Sequence, residues 1–331
     1  MIVHLKKDIT QAEAEALAVK YQSVLFQNGT WVLVTPSKLK SADAELQSKA
    51  DAVFVTETDI QLAGKAYMNG KRSIAIGNTV IGGNSNNSIV ITGPCSVESE
   101  EQIEQAAQLC IELGVKVLRA GAYKPRTSPY TFQGLGLEGL KLLDKMRSKY
   151  GLQIITEVRD STHADEVIEY ADIIQIGAKS MYDHGILRKC GKTRKPVLLK
   201  RGFGTTLQEF VQAAEFILSG GNANVILCER GIRTFETKTR FTLDLCGVAW
   251  LKQYTNLPVI LDPSHAIGYA YGVPDLARAC VAMGIDGLLI ESHPNPKVAK
   301  SDADQQLNFD EFRQLYASLQ KVAEAVGYKL V

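Results

Sequence analysis

The sequence predicts an α/β protein in which a (β/α)8 barrel (TIM barrel) follows a small α+β domain. From residue 88 onward, short apolar runs alternate eight times with amphipathic stretches. Near-continuous apolar runs are typical of parallel strands that are buried on both faces. Eight such units in about 240 residues fit a barrel. A doubly wound open sheet is the alternative, but it would be unusual with so even a repeat.

The eight predicted strand–helix units can be placed along residues 88–331. The predicted strands cover residues 88–92, 116–119, 153–157, 172–176, 196–200, 224–228, 258–261 and 286–290. The predicted helices lie near residues 99–113, 138–149, 161–169, 181–190, 206–219, 242–254, 274–283 and 309–326. Each helix follows its strand, as a parallel barrel requires.

Residues 1–70 are predicted to form a ferredoxin-like domain with the order βαββαβ. Its first strand is the apolar run from Ile2 to Leu5, and a helix begins near Thr10. Two β-rich runs then flank Gln-Asn-Gly, which is a strong hairpin signal. Residues 71–87 are predicted to be a connector that carries a second, smaller hairpin around Gly77 and Asn78.

The composition excludes several function classes. The 331-residue chain has a net charge of +1, so no general attraction to nucleic acid or membrane is expected. It contains no run of about 18 apolar residues that could span a bilayer. The N-terminus lacks the apolar segment of a signal peptide, and the six cysteines are scattered as in reduced proteins. We therefore expect a cytoplasmic protein.

Cationic residues follow many of the predicted strands. In a (β/α)8 barrel the residues after the strands meet at one mouth, where the active site lies. Like charges held together are unfavourable unless an anion balances them, and phosphates and carboxylates are the natural partners. The sequence therefore predicts an anion-binding mouth formed by Arg119, Lys124, Arg126, Lys179, Lys200 and Arg230.

Four potential metal ligands follow the first and the last two strands. They are Cys95, His265, Glu291 and Asp302. Strands 7, 8 and 1 are neighbours in a closed barrel, so these side chains are expected to converge. A thiolate, an imidazole and two carboxylates suit a divalent cation such as Mn, Fe, Co or Zn. Alone, Cys95 could be a small buried residue and His265 a hydrogen-bonded loop histidine.

Two other functions are compatible with parts of the sequence. Lys200 could form a Schiff base, but that chemistry needs a desolvated, neutral amine. Beside Arg201 and the other cations, Lys200 is more plausible as a charged anion ligand. A non-catalytic sensor of aromatic amino acids would use the N-terminal domain, but it would not explain the residues at the barrel mouth.

The strings GPCSVES, RAGAYKPRTSPYTFQGLG, EVRD, QIGAKS, LLKRGFGTT, LCERGIRTFE, DPSHAIG, IESHPNP and SDADQQ resemble 3-deoxy-D-arabino-heptulosonate 7-phosphate (DAHP) synthases. They are most similar to the branch related to 3-deoxy-D-manno-octulosonate 8-phosphate (KDO8P) synthase. The KPRT string after the second strand discriminates between the two, because KDO8P synthases typically carry Lys-Ala-Asn-Arg there. The alternative reading is thus a KDO8P synthase that uses arabinose 5-phosphate.

The resemblance implies a metal-dependent transferase at the first step of the shikimate pathway. Phosphoenolpyruvate would condense with D-erythrose 4-phosphate and water. It implies that Lys124, Glu157 and His265 are catalytic, and that Cys95, His265, Glu291 and Asp302 bind the metal. It further implies substrate binding by Arg119, Lys124, Arg126, Thr127, Lys179, Lys200 and Arg230.

The resemblance also implies features beyond the reaction. The N-terminal domain would bind Tyr or Phe as a feedback ligand, and the chain would form a homotetramer. One position departs from the family: Lys179 stands where Arg is usual. Because lysine cannot grip an oxyanion with two parallel hydrogen bonds, we expect it to bind phosphoenolpyruvate more weakly.

Overall fold

The computed structural model describes residues 1–124, 128 and 130–331 of the chain. Its N-terminal part is the predicted βαββαβ unit, with strands in the order β2-β3-β1-β4 and antiparallel neighbours. Gly29, with φ 74°, makes the tight turn between the second and third strands. The elements are β1 Ile2–Leu5, α1 Gln11–Lys20, β2 Val24–Asn28, β3 Thr30–Val34, α2 Ala44–Lys49 and β4 Ala50–Phe54.

The second hairpin is formed by β5 Ser73–Ile76 and β6 Thr79–Gly82. Its side chains Ile74, Ile76 and Ile81 are buried. They form one apolar cluster with inward-facing barrel residues such as Ile155 and Leu198. The hairpin therefore closes the end of the barrel that lies opposite the carboxyl ends of its strands.

Eight parallel strands form a closed barrel, which confirms the predicted fold class. They are β7 Asn87–Gly93, β8 Val117–Arg119, β9 Gln153–Val158, β10 Ile173–Ile176, β11 Val197–Lys200, β12 Val225–Glu229, β13 Val259–Leu261 and β14 Gly287–Glu291. The pairing of β14 with β7 closes the ring. A short β15, Lys329–Leu330, adds in parallel to the start of β7 and was not predicted.

Helices surround the barrel at the predicted places, and a short α9 was not predicted. They are α3 Glu100–Leu113, α4 Leu137–Tyr150, α5 Ala164–Tyr170, α6 His184–Lys192, α7 Leu207–Leu218, α8 Leu245–Tyr254, α9 Pro263–Ile267, α10 Val273–Ala282 and α11 Phe309–Ala325. Capping boxes fix the starts of α7, through Thr206 and Glu209, and of α11, through Asn308 and Glu311. Among the described residues, the helices include none long and apolar enough to cross a membrane.

A buried carboxylate joins the segment that follows β4 to the barrel. Glu215 of α7 accepts backbone hydrogen bonds from Gln61, Leu62 and Ala63, at 2.7, 3.1 and 2.8 Å. Burial raises the pKa of Glu215 to about 7, although these hydrogen bonds favour the charged form. The domain boundaries at residues 70 and 87 remain predictions.

Candidate active site

Cys95 lies at the mouth of the barrel because the chain turns sharply after β7. Gly93 has φ 141°, and a Cβ there would come within 2.2 Å of the Arg119 carbonyl oxygen. Cys95 is fully buried, and its Sγ lies 3.3 Å from Oδ2 of Asp302. The Lys124 ammonium donates to Sγ at 3.0 Å. Burial, reinforced by the charge of Glu291, raises the pKa of the thiol to about 12.

Cys95, Glu291 and Asp302 form a cluster of ligand atoms that all lie within 4.8 Å of one another. His265 adjoins this cluster, with Nε2 3.4 Å from Oε1 of Glu291. Three of the four predicted ligands thus meet in one group, and the fourth lies beside it. A thiol, two carboxylates and an imidazole are a suitable donor set for a divalent transition metal, so the residues fit such an ion.

Asp262 lies directly beside the imidazole of His265. The Asp262 carboxylate caps the short helix α9 by accepting the backbone N–H of His265 at 2.9 Å, and its Oδ2 lies 2.7 Å from Nδ1. The Lys200 ammonium donates to the same carboxylate at 2.6 Å. Burial would raise the pKa of Asp262, but the charges of His265 and Lys200 outweigh it and hold the pKa well below its usual range.

A cationic cavity of about 400 Å³ opens at the carboxyl ends of the strands. It is lined by Lys124, Glu157, Gly177, Ala178, Lys179, Lys200, Phe203, Arg230, Arg233, Arg240, Phe241, His265 and Asp302. Six of these residues are Lys or Arg, and three are Asp, Glu or His. This excess of positive charge makes the cavity a site for anions.

Arg230 shows the cavity's capacity for anions most directly. It is only 4% exposed, and Nε and Nη1 of its guanidinium find no hydrogen-bond partner within the described part of the chain. The guanidinium lies over the Phe241 ring, 4.5 Å from its centroid. Burial lowers the pKa of Arg230. A buried guanidinium with free donors is strongly stabilised by an oxyanion.

Glu157 lies in the cavity wall and is held by the amide of Gln175, which donates to Oε2 at 2.6 Å. Gly177 leaves room for it: a Cβ at that position would approach Oε1 of Glu157 to 2.2 Å. Arg119 lies below the cavity rather than in its lining. Its guanidinium pairs with Glu291 and lies 3.9 Å from Glu157.

The structure therefore brings most of the predicted site residues together. Lys124, Glu157, Lys179, Lys200 and Arg230 line one cavity, and the four potential ligands lie in or beside it. Their individual roles remain predictions. Two predicted substrate ligands, Arg126 and Thr127, lie outside the described residues.

Several residues of the site were not predicted. Arg240 and Phe241 line the cavity although they lie more than ten residues after β12. A bridge between Ile232 and Thr242 folds this loop back over the mouth. Phe203 stacks on Phe241, with centroids 5.4 Å apart. The sequence offered one signal for these residues: Phe241 directly follows Arg240 in a loop after a barrel strand.

Comparisons with known proteins agree with this geometry. The sequence profile described as the DAHP synthetase I family matches residues 61–327. A phospho-2-dehydro-3-deoxyheptonate aldolase from Thermotoga maritima is 49% identical over 241 residues, which are 73% of this chain and 71% of that protein. A 2-dehydro-3-deoxyphosphooctonate aldolase from Fusobacterium nucleatum is 30% identical over 280 residues, covering 78% of this chain and 99% of that one.

Solved structures extend the similarity to the N-terminal domain. The crystal structure of the DAHP synthase from Thermotoga maritima superposes with a TM-score of 0.81 at 40% identity, covering 100% of this chain and 99% of that one. A truncated form of the Thermotoga maritima enzyme matches with a TM-score of 0.77 at 42% identity, covering 83% of this chain and all of that one. The chain belongs to the DAHP synthetase I family.

Proposed function

We propose that this enzyme condenses phosphoenolpyruvate with D-erythrose 4-phosphate and water, releasing DAHP and inorganic phosphate. The observation that carries the proposal is the cationic cavity with a cluster of metal ligands at its edge. The two substrates bring two phosphates and one carboxylate, which the lysines and arginines of the cavity can neutralise. The 49% identity to a phospho-2-dehydro-3-deoxyheptonate aldolase supports the same reaction.

The deeper cations are proposed to bind phosphoenolpyruvate. Lys200 and Arg230 are nearly buried, and Lys179 lines the same cavity. Arg119 would act from below, next to Glu291 and Glu157. Lys124 would contact both substrates, and Arg126 and Thr127 would face erythrose 4-phosphate with it. This division would hold the two substrates side by side, which lowers the entropy cost of joining them.

Glu157 is proposed to orient the attacking water, and Lys124 is proposed to act as a proton donor. The Glu157 carboxylate, fixed by Gln175, would orient the water that adds to C2 of phosphoenolpyruvate. Burial would lower the pKa of Lys124, but its interactions with the Cys95 thiol and with the carboxylates of Glu157 and Glu291 raise it, so the ammonium stays charged. Lys124 can therefore donate a proton to the aldehyde oxygen as the new C–C bond forms.

Cys95, His265, Glu291 and Asp302 are proposed to hold a divalent cation such as Mn, Fe, Co or Zn. When bound, such an ion would act as a Lewis acid toward the aldehyde. Asp262 would keep the His265 ring oriented, because it contacts Nδ1 and leaves Nε2 facing Glu291.

The test is phosphate release from phosphoenolpyruvate with erythrose 4-phosphate or arabinose 5-phosphate, each with and without EDTA. We expect turnover with erythrose 4-phosphate that EDTA abolishes and added Mn²⁺ restores. Turnover with arabinose 5-phosphate alone would instead support the KDO8P synthase reaction, whose relatives here are 29–32% identical. An exposed-cysteine variant, Cys246→Ala, should retain activity, whereas Cys95→Ala should lose it.

We also propose that the N-terminal domain binds Tyr or Phe and inhibits the barrel. Support comes from its ferredoxin-like sheet, whose Ile2, Val32 and Val34 pack in the same apolar cluster as the barrel. Deleting residues 1–56 keeps the segment that Glu215 holds. Loss of inhibition by Tyr and Phe is expected in this shortened chain, and intact inhibition would refute the proposal.

The assembly and location are further proposals. A homotetramer is consistent with large apolar side chains on the surface, such as Phe235 at 98% exposure and Tyr271 at 74%. Light scattering that gives the mass of a single chain would contradict it. A cytoplasmic location is proposed from the biosynthetic role, and fractionation of cells would test it.

A further inference from the structure

The loop after β14 reaches the metal-ligand cluster through an unusual backbone conformation. Asp302 has φ 45° and ψ 45°, in the left-handed region that non-glycine residues rarely adopt. Such a conformation costs about 1–2 kcal/mol and persists only where the surroundings hold it in place. The contacts that hold this loop therefore bear on where the Asp302 carboxylate lies.

Gln306 makes two hydrogen bonds that join the loops of two metal ligands. Its Oε1 accepts the backbone N–H of Cys95 at 3.0 Å, and its Nε2 donates to the carbonyl of Ser301 at 2.9 Å. The Gln306 side chain is 1% exposed. One amide thus bridges the residue that carries the thiol and the residue directly before Asp302.

The bridge is anchored to the strand that carries a third ligand. Leu307, next to Gln306, donates its backbone N–H to the carbonyl of Glu291 at 3.0 Å and accepts from His293 at 2.9 Å. The Gln306 backbone is therefore fixed to the end of β14. A second contact joins the same two loops: the hydroxyl oxygens of Ser96 and Ser301 lie 2.7 Å apart.

We propose that Gln306 is a positioning residue. Its two hydrogen bonds hold the Cys95 loop against the Asp302 loop and thereby set the distance between these two metal ligands. The inference deepens the metal site of the proposed function and rests on it. Within the part of the chain that the structure describes, the side-chain hydrogen bonds of Gln306 go to backbone groups of Cys95 and Ser301. Gln306 acts through the backbone, and its effect is on the distance between the Cys95 thiol and the Asp302 carboxylate.

The test compares Co²⁺ binding by the full chain and by two variants. Gln306→Leu removes both hydrogen bonds. Gln306→Asn keeps the amide but shortens the side chain by about 1.5 Å, so it can reach at most one partner. We expect about 10–100-fold weaker Co²⁺ binding, measured by competition with a chelating dye. We also expect weaker thiolate-to-cobalt absorption, which reports on Cys95.

Gln61→Leu is the matched control. Gln61 is also buried, and its side chain also makes two hydrogen bonds, to Thr56 and to the Thr35 carbonyl, far from the site. A similar loss of stability with unchanged Co²⁺ affinity is expected for this variant. If Gln306→Leu does not fold, the Co²⁺ affinity and absorption of Gln306→Asn provide the test.

Three results would overturn the proposal. Wild-type Co²⁺ affinity and absorption in Gln306→Asn would show that the two hydrogen bonds of Gln306 do not set the distance between Cys95 and Asp302. Equal weakening in Gln61→Leu would show a general effect of lost stability. If the unaltered chain bound no Co²⁺, the metal site itself would fail, and this result is distinguishable because it does not depend on Gln306.

Discussion

Lys200 donates a hydrogen bond of 2.6 Å to Asp262, and both side chains are at most 3% exposed. Lys200 lines the anion-binding cavity, and Asp262 also contacts Nδ1 of the His265 imidazole. Lys200 is therefore held as a charged group by a carboxylate. This favours its role as an anion ligand over the Schiff-base chemistry that the sequence alone also allowed.

Removing the charge of Asp262 should destabilise the fold. Asp262→Asn leaves the buried Lys200 ammonium without its anionic partner, and we expect the free energy of unfolding to fall by about 3–5 kcal/mol. Denaturation with urea at pH 7 measures the change. Glu112→Gln, at an exposed pair with Arg313, is the control and should change stability little. Equal stability of the two variants would contradict the prediction.

Lys179 should limit the affinity for phosphoenolpyruvate. Lys179→Arg supplies a guanidinium that can grip an oxyanion with two hydrogen bonds, so the KM for phosphoenolpyruvate is expected to fall. Lys179→Ala should raise that KM. Steady-state kinetics with erythrose 4-phosphate held at saturation measures both. An unchanged KM in Lys179→Ala would refute the contact.

Gly177 should be needed for the position of Glu157. Its φ of −68° suits any residue, so Gly177→Ala introduces no backbone strain. The new Cβ would nevertheless approach Oε1 of Glu157 to 2.2 Å and displace it. We expect kcat to fall by about 100-fold, as for other small displacements in active sites, with little change in melting temperature. Gly70→Ala, with open space around its Cβ, should retain full kcat.

Glu215 should make stability depend on pH. Its pKa of about 7 in the folded chain lies above its ordinary value of 4.5, so the unfolded chain ionises first as the pH rises. Glu215 therefore contributes less stability as the pH rises from about 4.5 to about 7. Relative to the wild type, the melting temperature of Glu215→Gln should increase over this range.

The exposed Glu101 provides the comparison for this titration. Glu101→Gln removes an exposed carboxyl group, so its melting temperature should stay close to that of the wild type. A difference between Glu215→Gln and the wild type that stayed constant from pH 5 to pH 8 would contradict the assignment.

The barrel could be predicted because its local signals agree with its global fold. All eight strands and their helices were placed within a few residues, since strands buried on both faces leave uninterrupted apolar runs. β15 was missed because two residues carry no periodicity, and only the pairing of Lys329 and Leu330 with β7 makes them a strand. The helix α9 was missed because its five residues are too few to show a helical periodicity.

The site was predictable where residues directly follow strands. Lys200 and Glu291 end β11 and β14, so barrel geometry alone placed them at the mouth. Arg240 could not be placed in this way, because its position depends on how a long loop folds back. The proposed bridging role of Gln306 depends on Cys95, which lies 211 residues earlier in the chain, and no local pattern encodes that contact.

The hairpin of residues 73–82 has a consequence for how the chain is made. It leaves the ribosome before any barrel strand, yet Ile74, Ile76 and Ile81 belong to an apolar cluster whose members extend along the chain as far as Leu289. These isoleucines must stay exposed until most of the chain has been synthesised. Closing so many distant contacts is slow. We therefore expect nascent chains that end before residue 287 to depend on chaperones to avoid aggregation.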